Sequence, residues 1–448
     1  MLNSEQARAR VHDIVARARA AGADAADAMM VADRSLSVSV RMGALEDVER
    51  SESEELGLRV FAGTRSASVS SSDLSSAAMD VLVERALAMA REAPEDPWSG
   101  LAPEARLLRD APPDLDLDDG AEVEPQVLRD RALAAEDAAR AVDGVTNSEG
   151  GGASASRTVM ALATSHGFTG AYALSSHMVQ ASVLAGTGDA KERDHAWHSS
   201  RHAATLEAPE SIGRQAGERA VARLDPEKLA SGAMPVIFDR RVSGGLLGHL
   251  TSAIAGSSIA RKTSFLLDAL GTRIFARGIV IRDDPHRPRG LRSRPFDGEG
   301  LPVDARKIVE DGTLQTWLLE SASARQLGLE PTGHAARGVA GAPGVAPSNL
   351  YMEAGTVSPE ALIADIRLGV YVTELIGQGV NGITGDYSRG AAGFLIENGA
   401  ITRPVSEITI AGNLKDMFLE LTPANDLEFR YGVNAPTLRI DGMTIAGD

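Results

Sequence analysis

Three histidines crowd into the stretch DHAWHSSRH, at positions 195, 198 and 202. On a strand, a period of two puts His198 and His202 on one face and His195 on the other. A metal held there would lack a third ligand, so the stretch reads as an exposed polar strand. His249 stands in RRVSGGLLGHL, on a glycine-rich helix just after a buried strand. Glycine in a helix interior costs up to about 1 kcal/mol against alanine. Gly244, Gly245 and Gly248 together therefore suggest that another backbone packs closely there, and His249 reads first as a core or interface residue. Ser388, between Asp386 and Arg389, has the company of a nucleophile. It lacks the G-x-S-x-G elbow, and no histidine is near it in sequence. His12, His166 and His177 read as structural or solvent-facing. His286, in the polar loop DDPHRPRG, could meet an anionic substrate group. The chain has no cysteine, which excludes disulfides, thiol catalysis and any cysteine-ligated metal.

One motif misleads. GQGVNG at 377–382 matches the G-x-G-x-x-G of dinucleotide sites. That fingerprint needs a helix directly after the glycines, because the helix N-terminus holds the pyrophosphate. ITGDYSRG follows here, which is a poor helix opening, so nucleotide binding is not expected.

The elements that must position these residues follow from periodicity and punctuation. A first helix is predicted from a cap at Asn3 or Ser4 to about 21. Short strands are predicted at 28–32, 36–42, 44–49, 55–61 and 66–70, with turns at Met42-Gly43 and Ala62-Gly63. A second helix, from Asp73 or Leu74 to 91, would bury Met79, Val81, Leu82, Ala86, Leu87 and Met89. Residues 93–125 are rich in Pro and Asp and read as a long irregular connection wrapped on the surface. A helix at 125–141, strands at 145–148, 154–165, 169–184 and 193–201, and a helix at 209–224 follow. Helix, meander and helix thus occur twice, which suggests two related halves packed as one α+β unit.

Beyond about 228 the pattern turns β-rich. A strand at 234–238 leads into a helix at 242–254, with apolar structure at 265–270 and 274–281. A hairpin is expected at 303–309 and 313–319 around Asp311-Gly312, then a helix at 321–327, a loop at 334–349 and a helix at 359–367. Strands are expected at 350–352 and 370–375. Asn398-Gly399 is a type I′ hairpin signal between strands 393–397 and 400–404. Pro404 should end its strand, because proline cannot donate to a ladder. A strand at 407–411 and a helix capped by Asn413 come next. A strand pair around Asp441-Gly442 closes the chain. The expected fold class is α+β: an N-terminal α+β domain over 1–228 and a C-terminal β-rich domain with inserted helices over 229–448.

Composition narrows the partners. The net charge of −17 repels nucleic-acid backbones and anionic lipid. No apolar run approaches the roughly 18 residues that would span a bilayer. With a polar opening helix and no cysteine, the cytoplasm is the expected compartment.

Several long motifs carry a resemblance. TGDYSRGAAGF (384–394), PVSEITIAGNLKDMF (404–418), FLLDALG (265–271), LLGHL (246–250) and GVTNSEGG (144–151) resemble the PmbA/TldE branch of the TldD/PmbA family of metalloprotease-related proteins. SSDLS (71–75) and PPDLDL (112–117) add to the match, which spans nearly the whole chain. The resemblance implies a cytosolic complex with a TldD-type zinc peptidase, which holds its metal with a His-Glu-x-x-x-His helix and a later cysteine. It implies an unfolded or extended peptide as substrate, including precursors of ribosomally made peptide products. Placed on that motif, the second histidine falls on His249. The first histidine falls on Gly244 and the catalytic glutamate on Gly245. No cofactor is expected in this chain, and zinc is expected in the partner.

The resemblance thus implies a non-catalytic TldE-type subunit, a homodimer when isolated, that helps enclose a substrate channel. His249 and the turn of Asp386, Tyr387, Ser388 and Arg389 are its candidates for the channel or the partner-facing surface. Sheet edges of the β-rich domain could hold the peptide by strand addition. The alternatives are a self-contained hydrolase, using Ser388 or the 195–202 histidines, and a homodimeric peptide-binding module.

Overall fold

The computed structural model describes residues 2–188 and 190–447. Helix α1 (Ser4–Ala20) opens on a capping box: Asn3 Oδ1 accepts from Gln6 N at 2.8 Å, and Gln6 Oε1 accepts from Asn3 N at 3.0 Å. Three long strands follow, β1 (Ala25–Arg41), β2 (Ala44–Ala62) and β3 (Arg65–Ser71), where five short ones were expected. The supposed gaps are polar stretches such as ERSESEE, which sit exposed on an unbroken β2. A strand that runs past its core carries polar residues without ending.

Helix α2 (Ser76–Glu92) is capped by Ser75. Its buried face is Met79, Leu82, Val83, Ala86, Leu87 and Ala90. Val81 and Met89, expected inside, are 63% and 44% exposed. Helix α3 (Pro125–Arg140), strands β4 (Val145–Thr164), β5 (Thr169–Ala185) and β6 (Glu192–Ser200), and helix α4 (Pro209–Ala222) complete the N-terminal part. The strands expected at 145–148 and 154–165 are one. All six strands form a single antiparallel sheet in the order β3-β2-β1-β4-β5-β6. Alternation sorts its two faces. Met30 packs with α1 and α2, and Val38 and Val40 with α3, while Met29 points the other way.

That other face is covered by residues 93–125, which form a strap. Leu101, Leu107, Leu115 and Leu117 are buried in it. Arg325 of the C-terminal part donates to the carbonyls of Trp98, Gly100 and Leu101 at 2.8–3.0 Å. Phe296 meets Phe168 and Tyr172 edge-on at 4.9 and 5.4 Å. The two parts of the chain are thereby joined across the strap.

The C-terminal part begins with β7 (Gly232–Phe238) and α5 (Arg240–Ala253). Strands Leu368–Ile376, Asp386–Glu397, Ala400–Asn413 and Leu438–Ala446 join β7 in a closed barrel, because Thr409–Ala411 pairs back onto Thr444–Ala446. Closure leaves the barrel without the free edges that strand addition needs, while the second sheet of this part stays open. The second sheet pairs only short strands of two to five residues. Asn398-Gly399 makes the expected turn, with φ of 49° and 79°. Asp441-Gly442 does not turn the chain: it is a bulge inside one strand, between Ile440 and Met443. Pro404 likewise does not end its strand. It lies inside Ala400–Asn413, where the pairing is irregular, and its carbonyl accepts from Glu227 N at 2.9 Å.

Other C-terminal expectations also shift. Residues 265–270 and 274–280 form turns and coil rather than regular elements, yet Phe265, Leu266, Ile274 and Phe275 are core. The hairpin strands shrink to Arg306–Glu310 and Thr313–Leu314, and the 359–367 helix stops at Ile363. Helix Ser321–Leu327 ends at Gly328 in the left-handed conformation, as its sequence predicts.

Candidate functional site

Strand β7 delivers the chain straight into α5, which Asp239 caps by accepting from Arg241 N at 2.8 Å. Gly244 and Gly245 therefore sit in the second turn of a helix fixed at its start. Both line a cleft of about 500 Å³ between β6 and α4 on one side and α5, strand Leu368–Ile376 and residues 430–433 on the other. The expectation of close backbone packing holds only at Gly244, where a Cβ would lie 3.2 Å from the Val433 carbonyl oxygen. Beside Gly245 and Gly248 there is nothing within 4 Å.

The cleft wall is rich in guanidinium. Arg193, Arg219, Arg223, Arg240, Arg241 and Arg430 line it, with Asp194 and Glu374 as its acids. Most of these arginines have carboxylate partners. Arg223 meets Glu374, Glu192 at 3.3 Å and Asp194 at 3.8 Å. Arg240 meets Glu428 at 2.6 Å, and Arg241 meets Asp239 and Asp194 at 3.4 and 3.5 Å. Arg430 pairs with Glu207 and donates to the Trp197 carbonyl. Arg193 reaches Glu149 at 3.7 Å. Trp197 and Tyr431, whose rings are 5.1 Å apart, supply the apolar part of the wall.

His249 lies near the other end of α5. Its ring meets Tyr387 edge-on, with centroids 5.8 Å apart. Burial, and then Arg389, push His249 below its usual value, so its ring is neutral at neutral pH. Tyr387 is 2% exposed, and its hydroxyl has no hydrogen-bond partner among the described residues. Burial pushes that phenol up, so it stays protonated.

Strand alternation divides the expected 386–389 cluster. Tyr387 and Arg389 share the face towards His249, while Asp386 and Ser388 are exposed on the other. Asp386 accepts from Thr384 Oγ1 at 2.6 Å and Asn413 Nδ2 at 3.0 Å, which hold its carboxyl low and lock the turn. Among the described residues, Ser388 Oγ makes no hydrogen bond to a histidine. Its backbone N–H instead donates to the Gly379 carbonyl at 2.7 Å. The glycine run at 377–382 thus packs flat on this strand, and no helix follows it.

The three crowded histidines part company. His195 is exposed in the cleft wall. His198 Nδ1 accepts from Glu207 N at 3.1 Å, and burial pushes its pKa down. His202 lies beyond the end of β6, not on the strand face expected to carry it with His198, and meets the Asp116 carboxylate at 3.2 Å. His177, buried, meets Asp119 at 2.9 Å. Sequence reading passed over the arginines of the cleft. The one signal available was Arg240-Arg241 directly after a buried strand; Arg219 on α4 and Arg223 just past its end carry no mark of their own.

A metallopeptidase centre needs three protein ligands and a base. Among the described residues no group of three or more His, Asp or Glu side chains is placed to hold a metal ion. The residues where the motif would fall do not fit zinc: two are glycines, and His249 faces Tyr387. No helix among the described residues is long and apolar enough to cross a membrane.

Three family models match in sequence order. They are PmbA/TldA metallopeptidase domain 1 over residues 26–90, the central domain over 116–224 and the C-terminal domain over 231–447. The metalloprotease PmbA of Escherichia coli O157:H7 is 43% identical over 95% of this chain and 92% of its own length. A PmbA homologue from Haemophilus influenzae is 40% identical over 92% of this chain and 90% of its own. Among solved structures, a Bacteroides thetaiotaomicron protein named as a modulator of DNA gyrase superposes with a TM-score of 0.91 at 27% identity, covering all of both chains. TldE from Thermococcus kodakarensis shares the fold, with a TM-score of 0.86 at 20% identity over 98% of this chain and all of its own. With matched domains across both halves and close relatives along almost its entire length, this chain belongs to the TldD/PmbA metallopeptidase family, in its PmbA branch.

Proposed function

We propose that this chain is a non-catalytic, TldE-type subunit of a cytoplasmic metalloprotease complex. Its partner is a TldD-type subunit that carries the zinc. The observation that carries this reading is local. At the helix positions where a zinc peptidase needs an imidazole and a general base, this chain places Gly244 and Gly245 on an arginine-lined cleft. The cysteine ligand has no counterpart anywhere in the sequence. Five of the six guanidiniums on the cleft wall have carboxylate partners, and Arg219, with none in direct contact, disfavours a dication and suits an anionic or polar ligand. The role left to such a chain is to position an extended peptide and exclude water around a centre that the partner supplies. His249, Tyr387 and Arg389 would belong to that enclosing surface. In isolation the chain pairs with itself.

The experiment is metal analysis with a peptidase assay. The purified chain should hold less than about 0.1 zinc per chain and be inert on unstructured peptides. Mixing it with a TldD-type partner should give cleavage that a chelator abolishes. Stoichiometric zinc in the lone chain, or peptidase activity from it that survives chelation, would refute the reading.

A further inference from the structure

One guanidinium in the cleft stands apart. Arg219, on α4, donates to the His195 carbonyl at 3.2 Å and to Gln215 Oε1 at 3.4 Å, and among the described residues it forms no ion pair. Burial, and then the neighbouring Arg241 of the same wall, push Arg219 down from its ordinary value against the opposing pull of Asp194 and Asp239. With Asp194 and Asp239 near but no carboxylate in direct contact, Arg219 keeps donors that a bound anion can take. Five N–H donors belong to a guanidinium, so two neutral contacts leave Arg219 able to grip a carboxylate.

The surrounding geometry says how a peptide would arrive. Strand β6 is the edge of its sheet. Its outward carbonyls at His195 and Trp197 are already taken by Arg219 and Arg430. A peptide is therefore not added along β6 as a further strand. It can be held by a charged group, with the Trp197–Tyr431 pair as an apolar wall for the adjoining side chain.

We propose that the cleft beside Gly244 and Gly245 binds a peptide carboxylate, with Arg219 as the principal contact and Arg240 and Arg241 flanking it. This deepens, and rests on, the reading that the chain lines a substrate path. The carboxylate is a free C-terminus or an acidic side chain.

The test measures fluorescence anisotropy with the lone full chain and three labelled, unstructured octapeptides. One is free of Asp and Glu with a C-terminal acid, one is its C-terminal amide, and one is an amide carrying a single Glu. Wild type should bind at least one carboxylate form about tenfold or more tightly than the plain amide, as a charge-assisted hydrogen bond implies. Arg219→Gln should abolish that preference, and Arg219→Lys should retain part of it. Arg403→Gln, whose ion pairs with Glu227 and Glu397 lie outside the cleft, should leave it intact. If Arg219→Gln fails to fold, Arg240→Gln reports instead, since that side chain is half-exposed and should weaken the preference. Preference for the terminal acid or for the Glu peptide identifies the source. Equal binding of all three peptides to wild type, or a preference unchanged in the folded Arg219 or Arg240 variant, overturns the proposal. Because no partner is present, a preference seen here alongside failed partner-dependent cleavage would keep the site and remove the subunit reading. The reverse pair of results would do the opposite.

Discussion

Gly245→Ala is the substitution whose outcome the structure fixes best. Gly245 lies in the interior of α5 with nothing within 4 Å of where a Cβ would stand. Alanine relieves the backbone-entropy cost of a helical glycine, so the change should stabilise the lone chain by about 0.5–1 kcal/mol. Gly248→Ala has the same open surroundings and should act alike. Gly244→Ala should not, because its Cβ would meet the Val433 carbonyl oxygen at 3.2 Å and the opposing segment must give way. That contact offsets the helix gain, leaving a change near zero or a loss. Urea midpoints of the three variants, read with helix-amide exchange because a two-part chain need not unfold in one step, make the comparison. A loss above about 0.5 kcal/mol in Gly245→Ala would mean that the cleft is narrower than described. The same variant bears on function. If peptide fills the cleft, Gly245→Ala should raise stability of the lone chain and lower activity of the mixed complex.

Three further outcomes follow from buried polar and charged groups. Burial pushes the carboxyls of Glu299 and Asp297 up to about 7 and about 6, and Asp297 adds to the shift of Glu299. Both lie above their unfolded values of about 4, so the native state holds extra protons between roughly pH 4 and 7 and loses stability as pH rises through that window. Glu299→Gln should therefore stabilise the protein at pH 8 by up to about 3 kcal/mol and change little at pH 4, as urea midpoints at the two pH values would show. Burial alone would push the Asp27 carboxyl up, but Arg59 and Arg337 hold it below the usual range. Asp27→Asn strands two sheltered guanidiniums, which should cost about 3–5 kcal/mol and speed proteolysis of the 93–125 strap, since Arg337 belongs to the C-terminal part. Tyr387→Phe removes a buried hydroxyl without a partner and should be neutral or stabilising by about 1 kcal/mol in a urea melt.

Several local signals were legible where chemistry at one residue decides the backbone. Asn3 and Asn413 cap helices, Gly328 ends one, and Asn398-Gly399 turns a hairpin. Strand length was not legible, because polar residues on β2 read as a break when they are only its exposed part. Asp441-Gly442 has turn chemistry, but pairing with β7 on both sides keeps the strand running and reduces the turn to a bulge. Much of what made the chain recognisable is structural. In GVTNSEGG, β4 takes two bulges beside Glu136, whose carboxylate also accepts from Met42 N and Gly43 N. In PPDLDL, Leu115 and Leu117 anchor the strap. The cleft was hidden for a different reason. Its arginines come from β6, α4, α5 and the 430 region, and only tertiary packing brings them together.

The proposed departure from zinc chemistry therefore has two independent parts. One is the ligand set, readable from the sequence as glycine where imidazole and carboxylate would be required. The other is the field, which only the fold discloses. Of the six guanidiniums that line the cleft with Gly244 and Gly245, five have carboxylate partners and Arg219 has none in direct contact among the described residues, so a dication beside it would be repelled. Introducing a histidine at 244 and a glutamate at 245 would supply two groups and leave that repulsion in place. Glutamate there would instead face Arg219, Arg240 and Arg241, the partners of a carboxylate and not of a metal-bound water. On the proposed reading, the cleft is thus better described by the anion it would hold than by a cation.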